Sequence, residues 1–200
     1  MSFPILGQRV RQSSSRGHRA AIGVEMMEEK VVLSSAAVTG AIYQVQQAQL
    51  DGHDAIYTEL FTLKTNIISI QQATESFIYN TNSDIVSLKQ DYLATPANKS
   101  ADLKLIAKDK TNIKLAERDE KFAITQQNTQ IKSLSALSKQ VDSTAAAEIK
   151  GLNKGTINPT TVPASITSST TTLTTAITTI DTTATDDLNK LVAVYNNGTP

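Results

Sequence analysis

The densest grouping of residues able to do chemistry is Asp51-Gly52-His53-Asp54, two carboxylates and an imidazole within four positions. Three donors from one short segment with no distant partner make a poor metal site, since a closed site gathers about four around one point. The segment reads instead as a turn, with Gly52 ending one helix and Asp54 capping the next. A continuous helix through it would cost about 1 kcal/mol at the glycine. The other histidine, His18, stands alone. Zero cysteines exclude disulfides and thiol catalysis. No glycine-rich phosphate loop, serine nucleophile elbow or paired-carboxylate spacing occurs. Asp109, Glu117, Asp119 and Glu120 sit among lysines and describe a solvated helix face, with Glu117 and Lys121 at the favourable i,i+4 spacing.

Sequence patterns for modification are equally bare. Ser13-Ser14-Ser15 before Arg16 fits a solvated linker better than a phosphosite. Asn98-Lys99-Ser100 and Asn197-Gly198-Thr199 match the glycosylation acceptor pattern, which matters only in a secreted chain. No secretory signal is expected, because the early apolar stretch at residues 3–6 is too short. The expectation is a protein with no cofactor, no metal and no enzymatic activity.

What remains is organisation. Residues 1–23 form a basic arm: four of the five arginines (Arg9, Arg11, Arg16 and Arg19) lie here, and no acid precedes Glu25. Pro4, Gly7, Gly17 and the serine run argue for an extended conformation. Such an arm orders only against another molecule, with Phe3, Ile5 and Leu6 in an apolar groove and the arginines on carboxylates, carbonyls or phosphates. Tethering to a neighbouring subunit is the preferred reading over nucleic-acid contact, since aromatics for base stacking are lacking, and over a transit signal.

Helical pattern begins at Val24, with Glu25, Glu28 and Glu29 placed to favour a helix N-terminus. Residues 31–50 carry no charge, yet the apolar part is too short to span a bilayer, and Gln44, Gln46, Gln47 and Gln49 follow it. Membrane insertion is therefore not expected. From Ile56 to Tyr92 apolar residues and two threonines recur at alternating steps of four and three, with a one-residue slip at Ile85, through Leu60, Leu63, Ile67, Ile70, Thr74, Phe77, Thr81, Ile85 and Leu88. That is the seam of a long helix lying along another helix. Thr95-Pro96 ends it.

A third helix is expected from Ser100 to about Leu152, then a linker marked by Gly155, Pro159 and Pro163. Fourteen of the thirty residues over 156–185 are threonine. Beneath them a second seam persists through Ile166, Leu173, Ile177, Ile180, Ala184, Leu188, Leu191 and Tyr195. A disordered stalk has no reason to keep that period, so residues 165–195 are predicted to be helical. The charge-free run from Gly155 to Ile180 suggests a surface facing protein.

The fold class is all-α, an elongated bundle of coiled-coil hairpins with an extended N-terminal arm and a Thr-rich C-terminal helix. The expected divisions are 1–23 arm, 24–153 bundle (helices about 24–50, 54–93 and 100–152), 154–164 linker and 165–195 terminal helix. A near-neutral pI gives no bulk argument for nucleic acid or membrane. The expected function is that of a structural component of a large assembly, a minor virion protein that bridges or cements subunits, with other protein subunits, or further copies of itself, as partners. A secreted helical filament, injection-system or pore-forming protein is the alternative.

Overall fold

The computed structural model describes residues 15–196, with side chains over 35–196. Three long helices make up nearly all of it: α1, Ser15–Ala94; α2, Lys99–Asn153; and α3, Val162–Asn196. Single 3-10 turns, Pro96–Asn98 and Pro159–Thr161, introduce the second and third. Among the described residues there is no strand, and the fold is an all-α helical bundle.

The corners follow from local chemistry. Thr95 is driven out of helical geometry (φ −130°, ψ 84°) by Pro96. α2 closes on Gly155, whose φ of +69° suits a residue without a Cβ. The Gly155 N–H then bonds the Leu152 carbonyl at 3.0 Å and the Thr156 N–H bonds that of Gly151 at 2.9 Å, the Schellman pattern. Ile157 folds back over Gly151, where a Cβ would lie 2.5 Å from its Cδ1. Asn158 then starts the next corner, its Oδ1 accepting the Thr160 N–H at 3.0 Å.

α1 and α2 form an antiparallel hairpin, and α3 returns alongside α1. Three clusters mark its course. The first joins Ala41 and Val45 to Ala145, Leu152 and Val162. Next come Ile56 and Leu63 with Leu134, Ile180 and Ala184. The last holds Ile70 and Phe77 with Ala116, Ala123, Leu191 and Tyr195. Beyond Tyr195 the α1/α2 hairpin runs on with Ile85 and Ile106 still buried. Phe77 and Tyr195 stack with centroids 5.0 Å apart, and the Tyr195 hydroxyl donates to the Ala116 carbonyl at 3.0 Å with Thr74 Oγ1 at 3.2 Å. One phenol thus ties the end of α3 to both other helices.

Three expectations are corrected. Residues 51–54 are not a turn, because α1 passes through them unbroken. Gly52 is buried at the point where the helices meet, and a Cβ there would lie 3.2 Å from Leu173 Cδ2 and 3.3 Å from Val141 Cγ1. The packing that this glycine allows offsets its helical cost of about 1 kcal/mol. Residues 15–23 are helical rather than extended, and the helix starts well before Glu25. Once a long helix is nucleated, each added residue costs only its propensity, and no proline interrupts this stretch. Residues 1–14, the remainder of the predicted arm, lie outside the described residues. The third correction is small: α3 begins at Val162 rather than 165, with Pro163 in its first turn, where proline is tolerated.

Candidate interaction surface

The nearest approach to a catalytic grouping is at the α1/α2 seam. His53 Nε2 lies 2.8 Å from Asp142 Oδ1, and His53 Nδ1 lies 3.3 Å from Ser138 Oγ. Gln49 Nε2 also donates to Asp142, at 2.7 Å. These two hydrogen bonds, that from His53 first, hold the Asp142 carboxyl below its usual range. Ser138 lies inside α2, where backbone N–H groups are bonded to carbonyls one turn back and cannot receive an oxyanion. The cluster works as a polar clasp between helices. Asp51 and Asp54 take no part in it, both being exposed, and among the described residues no His, Cys, Asp and Glu grouping could hold a metal.

Polar groups also enter the core. Glu59, Asn66 and Gln127 are buried, and Gln127 Nε2 donates to the Ala184 carbonyl at 2.9 Å. Glu59 Oε1, Asn66 Nδ2 and Gln127 Oε1 are without partners. Burial, and secondarily the charge of Asp181 on α3, push the Glu59 carboxyl up to about 7. Near the first core cluster the three helices leave an open groove of about 590 Å³. Its walls mix small side chains, among them Ala48, Ala55, Ser169 and Thr172, with glutamines, and its charged lining residues are Asp51 and Glu148.

The outer face of α1 is different in kind. Tyr43, Leu50, Tyr57, Phe61, Ile68, Tyr79, Val86 and Leu93 are between 51% and 76% exposed. With Glu75 included, their steps along the chain are 7, 7, 4, 7, 7, 4, 7 and 7. At about 100° per residue, all nine positions fall within about 40° of one another, roughly 150° round from the buried seam. A 7-7-4 repeat averages about 3.6 residues per turn, so the stripe runs straight along the helix for about 75 Å without supercoiling. Lys64 and Asn82 border it on one side, Asp54, Gln72 and Gln90 on the other, and all are exposed. Single exposed hydrophobics are ordinary. Aromatics of this kind each carry roughly 150–250 Å², so the stripe offers on the order of 900 Å², beyond the roughly 300–600 Å² of a typical monomer's largest patch.

Of the seam residues predicted from spacing, Leu63, Ile70, Phe77 and Ile180 are buried. Leu60, Ile67, Leu88, Leu173 and Ile177 are half-buried. Phe3, Ile5, Leu6, Arg9 and Arg11 lie outside the described residues, and Arg16 and Arg19 lie on the backbone of α1 with side chains outside them. No family model matches the chain, and no curated protein and no solved structure resembles it to a significant degree.

Proposed function

We propose that this protein is a structural component of a larger protein assembly, and that its outer α1 stripe is a surface through which it joins. The stripe itself carries the reading, since a line of large apolar side chains about 75 Å long is costly to leave in water. Its polar borders give it the layout of an interface, an apolar centre within a polar rim. The specific form proposed is a minor virion protein that bridges or cements neighbouring subunits. The four arginines within the first nineteen residues, a charge suited to contacts with a neighbouring subunit, and the absence of a catalytic constellation in the sequence support it. A subunit of a secreted helical filament is the second reading, favoured by the same straight stripe.

The experiment is to size the native protein in extracts or purified particles and to inventory what travels with it by mass spectrometry. The proposal expects the chain at the mass of a large complex, with stoichiometric structural proteins. A chain that migrates alone in every fraction overturns it.

A further inference from the structure

The spacing of the outer stripe identifies its occupant. Reversed about Ile68, the nine stripe positions coincide with themselves: 43 maps on 93, 50 on 86, 57 on 79 and 61 on 75. We propose that the stripe pairs with the stripe of a second copy, antiparallel, with a two-fold axis at Ile68. This rests on the assembly reading above and names its partner.

Charge selects the direction. In a parallel pair Glu75 would face Glu75 of the other copy, in the middle of an apolar line and already close enough to Glu120 on α2 for the two carboxylates to repel. The antiparallel pair sets Glu75 against Phe61 of the second copy. It also brings Lys64 to within about one helical turn of that Glu75, twice by symmetry. Like charges are separated and opposite ones meet at the rim. Area supports the same occupant. Two stripes of about 900 Å² would together bury about 1,600–1,800 Å², the size of a standard stable interface. Straight helices are also what a long antiparallel contact between two rigid bundles requires, and the 7-7-4 repeat supplies them. A symmetric pair of this kind is closed, so the dimer is a finite unit on which the larger assembly is built.

The full chain has no cysteine, so single introduced thiols report unambiguously. Light scattering of the purified full-length protein at about 100 µM, where a dimer of micromolar affinity is saturated, is expected to give the mass of two chains. A short bis-maleimide is expected to link Ile68→Cys to itself. It should not link Tyr43→Cys to itself, but it should link Tyr43→Cys to Leu93→Cys when the two variants are mixed. Phe61→Asp, which places acid against Glu75 of the other copy, is expected to weaken the dimer about thirtyfold or more, with helix content unchanged by circular dichroism. Self-linking of Tyr43→Cys overturns the antiparallel arrangement. A monomer at about 100 µM overturns pairing with a second copy while leaving the assembly reading intact if the native chain still runs in a large complex. Only a native chain that runs alone removes that reading too.

Discussion

The outer faces of α1 and α3 are both poor in charge, yet they meet water in opposite ways. On α1 the exposed line is Tyr, Leu, Phe, Ile and Val, interrupted once by Glu75, and apart from that carboxylate and the tyrosine hydroxyls it offers a solvent little. On α3 it is threonine, and the hydroxyls are already engaged. Thr167, Thr171, Thr175 and Thr179 each donate to the carbonyl four residues back, at 2.8 to 2.9 Å. Each hydroxyl oxygen keeps lone pairs for water, so a helix can present a charge-free face without presenting an apolar one. Most of residues 167–179 on α3 are exposed within this chain. Lack of charge alone is therefore a weak sign of an interface. Lack of charge joined to large apolar side chains in a straight line is a strong one.

The two faces of α1 should respond differently to truncation. Leu63 is fully buried, and Leu63→Ala should destabilise the fold by about 2–5 kcal/mol in chemical denaturation. Phe61→Ala, two residues away, should leave the stability of the monomer nearly unchanged. Equal losses from both would mean that the stripe belongs to the core.

The next effect depends on pH and on the inward side of α3, where Asp181 influences Glu59. A folded-state value of about 7 lies above the ordinary 4.5, so the folded chain holds a proton that the unfolded chain releases. Stability is then fully present below about pH 4.5 and declines as pH rises towards 7, by on the order of 1–3 kcal/mol. Glu59→Gln should flatten the denaturation midpoint across that window. An unchanged slope would mean that Glu59 is not the group responsible.

Tyr195→Phe removes the hydroxyl that joins three helices and should cost about 1–2 kcal/mol, read from thermal unfolding. Smallest of all, Thr175→Ala on the outer face of α3 should stabilise by a few tenths of a kcal/mol, because threonine is the poorer helix former. It should leave association untouched. Weaker association in that variant would make the threonine face an interface and end the contrast with α1.

Much of the hairpin could be read from the sequence, because Leu63, Ile70 and Phe77 mark the seam at a period that only paired helices require. Gly52 misled for a physical reason: its breaker propensity is local, whereas its use here is to let Val141 and Leu173 approach, which no local pattern shows. Glu59, Asn66 and Gln127 were invisible because polar residues in a seam lower the very signal by which seams are found. The outer stripe is hidden in the sequence for another reason. Tyr57, Phe61, Ile68, Val86 and Leu93 each follow directly on a seam position, at 56, 60, 67, 85 and 92. In the sequence they look like thickening of one face, yet a step of one residue turns about 100° and places them on another.

Hydroxyl-radical footprinting of the full-length chain over a range of concentrations tests the outer α1 stripe most directly. Tyr57, Phe61 and Tyr79 lie on the stripe, while Phe122 on α2 is similarly exposed, at 64%, and lies off it. Protection of the three stripe aromatics that grows with protein concentration, with Phe122 reactive throughout, is the predicted result. Four aromatics that stay equally reactive at every concentration would contradict it.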